Sequence, residues 1–258
     1  MRKRKLFPVV LVALLGLAFA SAPAGAHPAG EEHLPDLRTL KPSEMRVSQS
    51  CTLILLFNCK RQLRFSNTIG NYGHGRLEMR PENDLAAAKT IAHQRIYSHD
   101  AAGRWYLKRE VAVGEFAFHP NHAHWHFEAF ADYRLITASA SDTTIGGTEV
   151  RSSQKVTFCI IDTDWLGTTL EHAGSQTYTR CGPTDVTGLT VGWGDKYGSS
   201  LPGQEFDLAG LADGFYWLKS TADPDQRLEE TDESNNCAAA KIEIRGSSVY
   251  DRGQKIPC

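Results

Sequence analysis

The segment Phe118–Phe130, FHPNHAHWHFEAF, carries His119, His122, His124 and His126, out of ten histidines in a 258-residue chain. His122, His124 and His126 alternate. In an extended strand every second residue faces the same way. These three imidazoles therefore share one face, and Ala123 and Trp125 share the other. Imidazoles on one face can converge on one ion, and imidazole suits copper, zinc, iron and nickel. The segment has no cysteine or methionine, which argues against a blue-copper electron-transfer centre. Three histidines with an open position form a catalytic type of site, with zinc or copper. His119 is out of phase and reads as a residue behind the ligands or as structural.

The elements that must hold such a face read as strands. Short runs rich in β-branched and aromatic residues recur between turn signals, among them Thr52–Phe57, Gln62–Thr68, KVTFCIIDTD, GFYWLKSTAD and NNCAAAKIEIRG. Much of HAHWHFEAFADYRLITAS alternates. One stretch, Asp84–His93, reads as helical. The expectation is a mostly β protein, a sandwich-like antiparallel core with long loops and at most one or two short helices. Neither a repeat nor a low-complexity linker interrupts it.

The N-terminus reads as a secretory signal over residues 1–26. Arg2, Lys3, Arg4 and Lys5 precede an apolar stretch from Leu6 to about Ala20, and Ala24-Gly25-Ala26 forms a small-residue cleavage site. The apolar stretch is shorter than the ~20 residues of a spanning helix. Residues 27–258 then form one domain, secreted and without a membrane segment after cleavage. Losing four basic residues takes the net charge from -2 to about -6, which argues against nucleic acid as a partner. His27, if left as the new N-terminus, would offer an amine and a ring to copper. Six cysteines in an oxidising compartment imply three disulfides with 15 possible pairings. Neighbour pairing is the simplest: Cys51–Cys59, Cys159–Cys181 and Cys237–Cys258.

Four segments in order make the chain resemble the lysyl oxidase family of copper- and quinone-dependent amine oxidases, from LPDL at Leu34 to Cys258. HAHWHFEAFADYRL looks like the family's copper-binding segment. QKVTFCIIDTD looks like the segment of the cofactor lysine, which implies that role for Lys155. GWGDKYGSSLPGQEFDL looks like the segment of the cofactor tyrosine, which implies that role for Tyr197. GFYWLKSTADPDQRLEETDESNN matches the C-terminal stretch. The implied cofactor is lysine tyrosylquinone, formed from Lys155 and Tyr197. The implied substrates are molecular oxygen and a primary amine, either a small amine or a peptidyl lysine. Lys155 stands before an apolar run. Tyr197 lies among Gly192, Gly194 and Gly198, where a mobile loop could let the ring swing.

Departures from the family pattern bear on the chemistry. Asn121 replaces a cysteine of animal members, which leaves Cys181 to pair with Cys159. Asp132 stands where animal members carry a histidine, and either it or another carboxylate near the copper is the expected base. The run from about Arg80 to Glu115 is longer than its animal counterpart. The resemblance also implies a calcium site built from Glu230, Asp232, Asn235 and Asn236 with Asp36 and the Leu37 carbonyl. Two other readings stay open. One is a copper- or calcium-binding adhesion-type β module without turnover, since the C-terminal stretch also resembles such modules. The other is a zinc hydrolase built on the three alternating histidines.

Overall fold

The computed structural model describes residues 28–51, 59–82, 89–119, 124–153, 157–167, 169–182 and 184–258. In chain order its strands are β1 Leu37–Thr39, β2 Ser43–Cys51, β3 Cys59–Asn71, β4 Leu77–Pro81, β5 Lys89–His99, β6 Trp105–His119, β7 His124–Glu128, β8 Ala131–Ala138 and β9 Glu149–Ser152. They continue as β10 Thr157–Phe158, β11 Asp164–Trp165, β12 Thr187–Leu189, β13 Trp193–Tyr197, β14 Glu205–Asp207, β15 Gly214–Ala222, β16 Cys237–Arg245 and β17 Ser248–Lys255. The helical content of the described residues is one 3-10 turn, Glu233–Asn235.

Three antiparallel sheets form. One runs β1-β3-β13-β11, with β2 and β14 also on β3; one runs β10-β7-β6-β5-β4-β12; the third runs β17-β16-β15-β8-β9. They share one apolar core. Leu63 and Phe65 come from the first sheet, Phe116, Phe127 and Phe158 from the second, and Tyr133, Leu218 and Ile242 from the third. Phe65 stacks on Phe206 at 5.4 Å and meets Tyr133 edge-on at 5.1 Å. This is the mostly β, antiparallel architecture expected. Thr52–Phe57 lies outside the described residues.

The helix expected over Asp84–His93 does not form where the chain is described. Residues 89–93 begin β5, where Thr90, Ala92, Gln94, Ile96 and Ser98 are buried in strict alternation. Pairing with β4 and β6 on either side satisfies that backbone. Tertiary pairing outweighs a helix preference worth tenths of a kcal/mol per residue.

Two disulfides staple the ends of this framework. Cys159 is bonded to Cys181, with Cα atoms 5.9 Å apart, and Cys237 to Cys258, at 5.3 Å. Cys59 is also disulfide-bonded, and Cys51 stands opposite it in the β2–β3 register.

Because Phe65 is fully buried in the shared core, against Phe206 of the first sheet and Tyr133 of the third, Phe65→Ala should destabilise the protein by about 3–5 kcal/mol. Urea unfolding would read this as a lower midpoint. An unchanged midpoint would contradict the packing described.

Candidate copper and tyrosine site

β7 presents the histidines. It lies between β6 and β10, and its core-facing side chains, Trp125 and Phe127, are buried against Phe118, Phe116 and Phe130. His124 and His126 take the opposite face. Their Nε2 atoms approach to 2.7 Å and their rings stack at 4.7 Å. His126 is only 6 % exposed. Two imidazole nitrogens aimed at one point, with no thiolate or thioether in the segment, suit copper or zinc. His122 lies outside the described residues. The backbone of His119 ends β6 opposite His124, and its side chain is outside them too.

The other nitrogen of His126, Nδ1, lies 3.2 Å from Thr157 Oγ1. Thr157 and Phe158 form β10 and pair with Glu128 and Phe127 of β7. Successive side chains of a strand point to opposite faces. Thr157 thus meets the histidine face, and Phe158 enters the core, 4.4 Å edge-on to the Tyr197 ring. The Tyr197 hydroxyl donates to Cys159 O at 3.1 Å and accepts from Cys159 N–H at 2.9 Å. Lys155, two residues before Thr157, lies outside the described residues.

Tyr197 is the last residue of β13, paired with Asn67 of β3, rather than part of an open loop. Two glycines, Gly194 and Gly70, face each other across these strands. A Cβ on Gly70 would come within 2.6 Å of Leu166 Cδ1, and one on Gly194 within 3.2 Å of its Cδ2. The glycines there make room for packing. Burial pushes the Tyr197 phenol well above its ordinary range, and the charge of Asp195 adds to the shift. Asp195 is 3 % exposed and also raises Tyr133, behind burial as the main cause. Sequence reading passed over Asp195; its only signal was a carboxylate two positions before Tyr197 in a strand.

Asp132 opens toward the other side of β8. Its Oδ2 accepts from Arg134 Nε at 2.5 Å, and Arg134 also bonds Glu149 at 2.9 Å. Its neighbour Tyr133 enters the core.

The residues expected to hold calcium come together around the turn between β15 and β16. Glu230 Oε2 accepts from Leu37 N–H at 2.6 Å. Asn235 Nδ2 donates to Asp36 Oδ1 at 2.8 Å and to Asp232 Oδ2 at 3.0 Å. Asn236 Nδ2 donates to Glu230 Oε1 at 3.0 Å. The Oδ1 atoms of both asparagines are buried without a hydrogen-bond partner. Two further carboxylates, Asp223 and Glu233, lie with Glu230 so that one oxygen of each falls within 4.8 Å of the others. Oxygens without partners beside clustered carboxylates are the donor set of a hard cation. Burial is the main cause that raises Glu230, to about 9, with the charges of Glu233 and Asp223 adding to it.

The family model for lysyl oxidase matches residues 100–253, more than half of the chain. The chain belongs to the lysyl oxidase family. Lysyl oxidase homolog 2 of Xenopus laevis is 27 % identical over 192 residues, covering 74 % of this chain and 20 % of the relative. Lysyl oxidase homolog 3B of Danio rerio is 27 % identical over 192 residues, covering 74 % and 18 %. Lysyl oxidase homolog 4 of Homo sapiens is 26 % identical over 149 residues, covering 57 % and 18 %. The chain spans about a fifth of the length of these curated relatives. For this lysyl oxidase family member the matched span includes β7, β10 and β13, the three strands just described.

The buried acid predicts a pH response. The folded value of Glu230 lies above the ordinary 4.5. Its contribution to stability is therefore complete below about pH 4.5 and is lost as pH rises through about 9. In chelator, the melting temperature should fall across that window, and Glu230→Gln should flatten the fall. Added calcium should restore stability at the alkaline end. An identical pH profile in Glu230→Gln would refute this.

Proposed function

We propose that this protein is a secreted copper-dependent amine oxidase. It would convert primary amines, small amines or peptidyl lysine, to aldehydes, releasing ammonia and hydrogen peroxide. One observation carries the reading. The run Thr157–Cys159, which directly follows the segment of Lys155, touches His126 through its first residue and holds the Tyr197 hydroxyl through its last. A single short strand therefore lies against both the metal face and the ring.

In this reading His122, His124 and His126 hold copper, while Lys155 and Tyr197 form lysine tyrosylquinone. Bound together, copper and the quinone supply the two-electron chemistry that links an amine to oxygen. The chain's own residues do the rest. The Cys159 peptide fixes the Tyr197 hydroxyl at both its donor and its acceptor side. Phe158 and the core behind it pack one side of the partly buried ring. The base is proposed to be Asp132, whose Oδ2 accepts from Arg134, or another carboxylate near the copper. Asp36, the Leu37 carbonyl, Glu230, Asp232, Asn235 and Asn236 are the proposed calcium ligands. Residues 1–26 are proposed as a cleaved secretory signal and residues 27–258 as one catalytic domain. No helix among the described residues is long and apolar enough to cross a membrane.

The test is aerobic copper loading of the full chain. Mass analysis should find a peptide cross-linking the segments of Lys155 and Tyr197, and phenylhydrazine should form a coloured adduct. Lys155→Ala and Tyr197→Phe should keep copper and lose peroxide production to background. His124→Ala and His126→Ala should each lose most of the copper, and His119→Ala less. Bound copper without cross-link or adduct would replace this reading with a copper- or calcium-binding module. Zinc binding without redox activity would replace it with a hydrolase.

A further inference from the structure

We propose that Thr157 is a positioning residue, which orients the His126 ring, supports the Nδ1–H tautomer that metal binding at Nε2 needs, and ties the metal to the strand that holds Tyr197. This rests on the amine oxidase reading only in taking copper as the ion at His124 and His126.

The tautomer argument starts from the ring. A neutral imidazole carries one N–H and one lone pair, and only the lone pair can bind a metal. His126 directs Nε2 at His124 Nε2 and Nδ1 at Thr157 Oγ1. If the Thr157 oxygen accepts Nδ1–H, the lone pair is left on Nε2, beside the equivalent atom of His124. If the ring took the other tautomer, Nε2 would carry a proton that copper must displace. A hydroxyl at Nδ1 can accept this bond and orient the ring at the same time. Groups that hold the far nitrogen of a metal-bound histidine change metal affinity in this way.

The coupling argument starts from the strand. β10 is two residues long, so Thr157 and Phe158 move together. Thr157 bonds the histidine, Phe158 packs on the Tyr197 ring, and the Cys159 peptide holds the hydroxyl. An ion that fixes the His126 ring therefore fixes Thr157, and through it the Cys159 peptide. Valine has the shape of threonine without its oxygen, and would leave Nδ1–H in a nearly buried place without this acceptor. Serine keeps the oxygen.

The experiment uses the full chain, with copper(II) affinity measured by chelator competition, the EPR spectrum of the bound ion, and amide exchange at Cys159. Thr157→Val should weaken copper binding about 10- to 100-fold and change the EPR hyperfine splitting. Thr157→Ser should return both to near wild type, which a merely structural role for the side chain would not require. In the wild type, copper should slow exchange of the Cys159 amide, and this reading needs no variant to fold. Valine affinity within about twofold of wild type with an unchanged spectrum would overturn the tautomer role. Cys159 exchange indifferent to copper would overturn the coupling. A wild type that binds no copper would instead remove the amine oxidase reading, and this role with it.

Discussion

Two residues, Thr157 and Phe158, stand between the histidine face and the Tyr197 ring, and the arrangement of the site follows from that. A strand this short has one side chain per face. Its polar residue meets the histidines, and its aromatic residue seals the core over Tyr197. His124 and His126 belong to a sheet that ends at β10, and Tyr197 belongs to another sheet through β3. β10 is where an edge of the first meets the ring of the second.

A strand with so few hydrogen bonds must be held from beyond its ends. Cys159, directly after it, is bonded to Cys181. Asp162, 1 % exposed, takes four hydrogen bonds: from the N–H groups of Thr177, Tyr178 and Thr190 and from the Thr190 hydroxyl. A buried carboxylate is costly unless it is so bonded. Here that requirement pins the long 169–182 stretch to the chain that leaves β10. Glu78 repeats the device on β4, accepting from Tyr97 at 2.5 Å and Tyr178 at 2.7 Å. Tyr178 thus joins the two anchors, and the irregular segment is fixed by polar bonds where it has few strands.

What the sequence made legible was local. Alternation alone put His124 and His126 on one face, because a strand's period of two needs no knowledge of its partners. The pairings Cys159–Cys181 and Cys237–Cys258 were legible for a similar reason, since each closes a short excursion. The expected helix over Asp84–His93 was misread where it is described, because the alanines of that stretch favour a helix only when no strands flank it. Nor could residue spacing tell that Tyr197 ends a strand across from Asn67, or that Asp195 sits beneath it. Those facts depend on register between strands more than 120 positions apart. Asp223 and Glu233 were missed beside Glu230 because their approach to it depends on how the β15–β16 turn folds back.

That turn shows how charge can close a β framework. Leu37 N–H of β1 reaches Glu230, and Asp36 reaches Asn235, so the start of the described sheet is tied to a turn almost two hundred residues later. Without an ion, Glu230 is buried beside Asp223 and Glu233; burial is the main cause that raises its affinity for a proton, and their charges add to it. A proton neutralises one carboxylate and leaves the amide oxygens of Asn235 and Asn236 without partners. A divalent cation answers both demands at once: it balances two charges and accepts the neutral oxygens as ligands. The residues that close the framework thus combine hydrogen bonds of their own with the donor set that the proposed calcium site asks for.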